Sequence, residues 1–408
     1  MQDVDLPSIL LECLKHLNLH KEVHLMNYHS TVLGQLLRFI PRDFFQKTVR
    51  KYRGDKGTRE FNSWTHLASL IFAQLTGQQS VRDLETALYS RRNDLYHAGM
   101  KPVKRSTFCD ANRKRSHEIF QEVYYEMLSG LTHLGRRLRF RFKNPVKILD
   151  STVIDLCLSV FSWAEFRQRK GALKLHCEYD LDSQIPTFIR ITTGKIADIK
   201  AVKSRSFEKG SILVFDRGYV DYCWFHQLDL QGVYFVTRAK RNMLYRVVGR
   251  NPVNKKSGLR ADQIIRITGH KADCIPILLR RIVFVNPEDN QRYVFLTNIM
   301  HLAASTIAEI YKCRWQIELF FKWIKQNLKI KTFLGTTKNA VMSQIWAALI
   351  LFLLLSFMRI AHRINWTLHK LMVFLKLNAL EPLELSEVLL GIRASPQSQN
   401  VVQMNLAF

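Results

Sequence analysis

The sequence has no CxxC pair, and its seven cysteines (Cys13, Cys109, Cys157, Cys177, Cys223, Cys274 and Cys313) are odd in number. That spacing yields neither a zinc site nor a disulfide framework, so a reducing interior compartment fits best. The N-terminus, MQDVDLPSILLECLKH, lacks a basic segment followed by a cleavable apolar run, and no signal peptide is expected. Nor is a membrane span expected. Ile345–Met358 is the segment that most resembles one, and its fourteen residues fall short of the roughly 20 needed to cross a bilayer. A buried helix is expected there. There is no lysine-rich amphipathic terminal helix to lie on a membrane surface, no internal repeat and no low-complexity stretch.

Acidic side chains are also scarce. Over 408 residues, 34 Asp+Glu face 61 Lys+Arg, a formal net charge of +27. A field of that sign draws in polyanions, and nucleic acid is the expected partner because each neutralised phosphate releases a counterion. The excess is concentrated: residues 101–143 carry eleven Lys/Arg against four acids, and residues 238–281 carry twelve against Asp262 and Asp273. One such block is compatible with a solvated surface. Two separated blocks point to extended DNA contact. The 47% hydrophobic content supplies enough material for a large core in two or three domains.

Residues 1–135 read as a helical N-terminal domain. Trp64, Leu67, Leu70, Ile71 and Leu75 recur at helical spacing behind a cap at Phe61-Asn62-Ser63, and Thr107–Tyr125 reads as another helix. The pattern changes at Asn144-Pro145. Strands are expected at Val146–Leu149, Leu173–Tyr179, Thr187–Thr193, Ile212–Phe215 and Val233–Thr237, with helices at Ile199–Phe207 and Asp221–Leu230. This alternation predicts a mixed α/β sheet over 144–240 and 301–362. Between them, residues 241–300 read as a β-rich insertion with turns at Asn251-Pro252, Ser257-Gly258 and Asn286-Pro287. Helix returns from Ala303, and residues 363–408 form a C-terminal helical region.

Three carboxylates stand out. Val146–Leu149 and Ile212–Phe215 are apolar runs suited to strands buried on both faces, and each is followed by an aspartate, Asp150 and Asp216. A carboxylate inside such a sheet is costly, whereas at a strand end it reaches the crevice where ligands of open α/β sheets bind. Either aspartate alone also fits a turn. Glu318 has sharper geometry. At about 100° per residue, Tyr311, Arg314, Glu318, Lys322, Lys325 and Lys329 share an arc of about 80°, while Cys313, Ile317, Phe320, Phe321, Ile324 and Leu328 fill the opposite, core-facing arc. One Glu318–Lys322 pair would explain a single lysine; a phosphate backbone accounts for the surplus of cations. Three carboxylates from two strands and a helix could hold two oxygen-loving ions about 3.5–4 Å apart for in-line displacement at phosphorus.

The spacing Y-x2-R-x3-E-x6-K, present as Tyr311, Arg314, Glu318 and Lys325, resembles the signature of bacterial insertion-sequence DDE transposases, and more narrowly of the insertion-sequence-four family. LDST around Asp150 and FDRGY around Asp216 are similar to that family's two aspartate motifs. The resemblance spans roughly residues 145–360. It implies an RNase H-like fold and Mg²⁺ or Mn²⁺ as a pair of ions, with Asp150 bridging and Asp216 and Glu318 completing the sites. It implies DNA contacts from Tyr311, Arg314 and Lys325 near the cut, to which the charge pattern adds Lys322 and, in the N-terminal domain, Arg113, Lys114 and Arg115. The implied partners are double-stranded DNA with terminal inverted repeats and a target DNA. A homodimer in the synaptic complex and a cytoplasmic, nucleoid-associated location in a bacterium also follow. The alternatives are a standalone two-metal nuclease and a catalytically inactive basic DNA-binding protein. Relatives with a base-flipping tryptophan carry it in the insertion, whereas all seven tryptophans here lie outside 240–300; Tyr245, Phe284 and Tyr293 are the aromatic candidates there. His176 is a weaker candidate beside the metals.

Overall fold

The computed structural model describes residues 30–131, 142–167, 170–269, 272–287, 290–328, 332–361, 364, 366–385 and 389. The chain divides into two compact units, one of Met1–Met127 with Met342–Phe408, the other of Leu128–Val341.

The first unit is helical. Its described elements are α1 (Val32–Leu37), α2 (Arg42–Lys51), α3 (Ser63–Thr76), α4 (Val81–Ser90), α5 (Arg105–Lys114) and most of α6 (Glu118–Leu131). Asn62 caps α3 as expected, its side chain accepting from Thr65 N. The single helix expected over Thr107–Tyr125 is instead two. Arg115 adopts extended backbone (ψ 127°), and its guanidinium turns back to donate to the carbonyls of Gly54 and Phe61. Ser116 Oγ then accepts from Glu118 N at the start of α6.

The apolar segment Ile345–Met358 lies in a longer helix, α11 (Lys338–Ala361). The span Lys338–Ile360 is long and apolar enough for a membrane, with a mean hydropathy of 2.2, yet its 18-residue apolar stretch is buried throughout inside the protein. Trp346 packs its ring on Tyr124, with centroids 5.4 Å apart. The second stretch of this unit begins part-way along this helix, at Met342. A further helix, α12 (Leu368–Asn378), leads to a segment tied to α1, with Gln35 donating to Leu383 O and accepting from Leu385 N.

One core residue of this unit titrates. His66 on α3 is fully buried, its Nε2 2.8 Å from Asn112 Oδ1, among the rings of Phe61, Phe108 and Phe120. Burial, helped by the charge of Arg115, holds it down to about 3 from 6.5. The unfolded chain therefore gains a proton below pH 6.5 that the native state refuses, so stability is complete above 6.5 and drains as pH falls towards 3. Wild-type protein is expected to lose about 2 kcal/mol in urea melts between pH 7 and pH 5, and His66→Gln should flatten that slope. An equal slope in the variant would assign it to other groups.

The second unit is built on one sheet. Its strands are β1 (Val146–Leu156), β2 (Glu165–Arg167), β3 (Lys170–Asp180), β4 (Ile185–Thr193), β5 (Ile212–Phe215), β6 (Tyr234–Arg238), β7 (Tyr245–Asn251), β8 (Leu259–Ile267), β9 (Leu279–Val285) and β10 (Arg292–Thr297). They run in the order β2-β3-β1-β5-β6-β10-β9-β8-β7, with β4 also on β3. β1, β5 and β6 are parallel neighbours; the other pairings are antiparallel. The mixed α/β sheet read from the sequence is thus present, and β7–β10, the expected insertion, continue the same sheet. The Ser257-Gly258 turn holds because Gly258 sits at φ 83°, and a Cβ there would meet Val285 O at 2.5 Å.

Helices cover both faces. On one, α7 (Asp198–Val202) and α8 (Tyr222–Leu230) share a core with Leu149, Leu213, Phe215, Phe235 and Leu296. On the other lie α9 (Ala304–Lys312) and α10 (Trp315–Asn327). The helix expected over Ile199–Phe207 stops at Val202.

Candidate active site

Side chains alternate across a strand. With Leu149 and Phe215 packed beneath α8, their successors Asp150 and Asp216 point to the α10 side. β1 pairs with β5 in parallel, Leu149 opposite Phe215, so one further step brings Asp150 and Asp216 abreast. Asp216 follows the last residue of β5, as the apolar run before it required. Asp150 does not end its strand: β1 runs on to Leu156 because β3 keeps pairing with its other edge. The crevice arises because β5 stops while β1 continues.

Glu318 comes in from above. The single helix expected through Tyr311–Lys325 is two helices, α9 and α10, joined at Cys313 and Arg314 with nearly helical backbone, so the periodicity persists. Cys313, Ile317, Phe320, Phe321, Ile324 and Leu328 are all buried, as that periodicity required. Tyr311 is buried too, its ring 5.0 Å from that of Phe295. Glu318 lies in the first turn of α10, where the helix dipole favours a carboxylate. Between the carboxylates sits Arg314. One guanidinium nitrogen donates to Asp150 Oδ2 at 3.0 Å and the other to Glu318 Oε1.

Each aspartate is held. Asp150 Oδ1 accepts from Ser151 N at 2.8 Å, and Asp216 Oδ1 accepts from Gly218 N at 2.8 Å. Burial pushes the Asp150 carboxyl up to about 6; the Asp216 and Glu318 charges add to the rise, while Ser151 N–H and Arg314 oppose it. A site whose acids raise one of their number in this way calls for cations.

Residues 141–354, which contain all three acids, match the family model described as a transposase DDE domain. The chain belongs to the DDE transposase family. Residues 28–101 match a domain of unknown function. A protein of Sinorhizobium fredii named a transposase is 36% identical over 271 residues, 65% of this chain and 72% of its own. A Geobacillus stearothermophilus protein, named as the transposase of insertion sequence element IS5377, is 28% identical over 331 residues, 81% and 85% of the two chains. A solved piggyBac transposase synaptic complex with hairpin DNA aligns over 96% of this chain and 83% of that one, at a TM-score of 0.43 and 8% identity.

The transposase DDE domain works with divalent metal. Among the described residues, no three His, Cys, Asp or Glu side chains stand ready to share an ion; Asp150 and Glu318 are instead bridged by the Arg314 guanidinium. The donor set nonetheless fits a hard cation: it offers oxygen ligands only, two of them already drawn to one positive charge.

The remaining expected residues are distributed unevenly. Lys322 is exposed and Lys325 half-buried along α10; Lys329 lies outside the described residues. Arg113 is exposed and bonded to Asp110. Lys114 lines a groove of 850 Å³ in the helical unit, with Lys56, Arg59, Lys101 and Lys104. Arg115 lines the same groove but is 7% exposed, its guanidinium engaged by the carbonyls of Gly54 and Phe61. Of the aromatic candidates, Tyr245 lies under Arg281, and Phe284 and Tyr293 stack on Phe295.

Two further charged residues lie near these acids. Continuing the β5–β6 register from Val214–Val236 sets Arg238 opposite Asp216, on the same face. The guanidinium lies 5.0 Å over the Tyr293 ring, and its Nε is buried without a hydrogen-bond partner among the described residues. The equal offset of Asp216 and Arg238 beyond two paired apolar runs was the available signal. The other is Asp198, which no pattern in its own stretch of sequence marks out.

Proposed function

We propose that this DDE transposase is of the insertion-sequence-four type, with Tyr311, Arg314, Glu318 and Lys325 as its Y-R-E-K signature. It cuts at the ends of an insertion sequence and joins the freed 3′-hydroxyl ends to target DNA. The observation that carries this reading is the Arg314 bridge. One signature residue joins a strand-borne acid to the helix-borne acid 168 residues further on.

Asp150, Asp216 and Glu318 would hold two Mg²⁺ or Mn²⁺ ions. When bound, such ions stabilise the attacking and leaving oxygens of an in-line displacement. The chain supplies the rest. Arg314, Arg238 and Lys325 bind the phosphates flanking the cut, and Tyr311 supports Arg314 from below. Lys322 extends the contact along α10. In the helical unit, Lys56, Arg59, Lys101, Lys104 and Lys114 outnumber the Glu60 and Asp110 carboxylates of the same groove, which suits the backbone of a terminal repeat; the exposed Arg113, next to Lys114 in sequence, would join them. A homodimer pairing two ends, in the cytoplasm and nucleoid of a bacterium, completes the reading.

The deciding assay incubates the full-length protein with linear DNA bearing both element ends, with and without Mg²⁺. Metal-dependent nicks at the ends, followed by joined products, are expected. Cutting without joining would reduce the protein to a nuclease, and no metal-dependent product at all would sink the assignment.

A further inference from the structure

We propose that Asp198 is a positioning residue that braces Asp150 from the back of the sheet, acting through Ser151. This rests on the reading of Asp150 as a metal ligand.

Ser151 follows Asp150 on β1, so its side chain emerges on the opposite face, that of α7. There its hydroxyl donates to Asp198 Oδ1 at 2.6 Å, while its backbone N–H donates to Asp150 Oδ1. Residue 151 thus carries two bonds of opposite purpose. One holds the carboxylate in the crevice; the other fastens the strand behind it. The brace falls where it is needed: β5 ends at Phe215, so beyond Leu149 the strand has β3 on one edge and no β5 on the other.

Asp198 is itself firmly held. Lys174 Nζ is 3.2 Å and His176 Nδ1 3.4 Å from the same Oδ1. Both come from β3, two residues apart and hence on one face, and His176 pairs directly across from Ser151. His176 is fully buried, its other nitrogen 2.9 Å from Thr192 Oγ1 on β4. Against the upward push of burial, the neighbouring His176 ring, the Ser151 hydroxyl and the Lys174 ammonium keep the Asp198 carboxyl down to about 2. His176 therefore has a place near the acids, through Asp198.

The second oxygen of Asp198 faces the other aspartate's loop. A Cβ on Gly218 would stand 3.7 Å from Asp198 Oδ2 and 3.0 Å from Asp216 Oδ1. Beside them the Tyr219 hydroxyl is buried without a hydrogen-bond partner among the described residues. Asp198 thus touches the segments that present both strand aspartates. A carboxylate serving only the fold would not need to converge on that edge.

The test titrates Mn²⁺ into the full-length protein by calorimetry, without DNA, alongside thermal melts. Ser151→Ala and Asp198→Ala should each weaken Mn²⁺ binding about 10–100-fold, the range for residues that orient a metal ligand. The double variant should be no weaker than the worse single one, because both break one relay. Asp198→Asn, which keeps an acceptor for the Ser151 hydroxyl, should recover most of the affinity. Wild-type Mn²⁺ affinity in Ser151→Ala, with Asp150→Ala abolishing binding, would overturn the relay alone. A lowered Tm with unchanged affinity in Asp198→Ala would do the same by reducing Asp198 to a fold residue. Binding that survives Asp150→Ala would sink the metal-site reading and the relay with it.

Discussion

Asp150→Asn should abolish metal-dependent cleavage, by roughly 10⁴-fold or more, while DNA binding stays intact. The loss is of the size seen when one member of a catalytic unit is removed. The amide keeps the shape of the carboxylate and can still accept from Ser151 N–H, so the strand edge should survive. It loses the charge that a divalent ion requires and that Arg314 now meets at 3.0 Å. Binding should persist because every cation offered to phosphate is kept, most of them away from Asp150 on α10 and in the groove of the helical unit, and removing a negative charge from the site cannot repel DNA. The reverse dissociation is expected from Lys104→Glu combined with Lys114→Glu. That pair should weaken the DNA complex and lower its salt slope by about 0.9 for each phosphate no longer neutralised. Nicking assays and anisotropy titrations on the same preparations read both effects. Cleavage persisting in Asp150→Asn would remove that carboxylate from the chemistry.

Asp262→Ala should cost about 3–5 kcal/mol of stability in the sheet unit, the penalty for breaking a buried ion pair from one side. Asp262 on β8 and Arg280 on β9 are 3% and 6% exposed and meet as a two-pronged pair at 2.6 and 2.9 Å. Arg280 donates further to Leu302 O at 2.5 Å, in the connection that delivers α9. Without Asp262 the guanidinium keeps its charge in a dry setting. Replacing both partners at once, Asp262→Leu with Arg280→Met, should restore much of the loss, since an apolar pair is often no worse than an ionic one. Urea melts of the single variant within about 1 kcal/mol of wild type would show that water reaches this pair.

The parts of the transposase legible in its sequence are those governed by local rules. Ile212–Phe215 is four consecutive apolar residues, and the strand has those bounds. Asn62 can cap only the helix that follows it. The placing of Arg314 and Glu318 on one side depends on helical repeat alone, which continues past Cys313 because the linking residues stay near helical dihedrals, whereas Tyr311 of the same arc is buried against Phe295. What escaped notice depends on partners far along the chain. Nothing near Arg115 shows that the Gly54 and Phe61 carbonyls will claim its side chain and split a helix. β1 extends to Leu156 because β3 pairs with it, and polar Ser151 and Thr152 hid that continuation. Asp198 acquires its place from residues on two strands, so no spacing in its own neighbourhood could mark it.

The helical unit is assembled from the two ends of the chain, and its most apolar helix belongs to the later piece. On the ribosome, residues 1–127 emerge first and must wait for α11 through the synthesis of 214 intervening residues, about 10–40 s at roughly 5–20 residues per second. Until then α3 also lacks α12, against which it packs in the finished unit. The sheet unit has no such wait, because every strand it needs arrives in one run. A nascent chain of this protein should therefore close its catalytic sheet before its N-terminal helices settle, leaving those helices to chaperones in the interval.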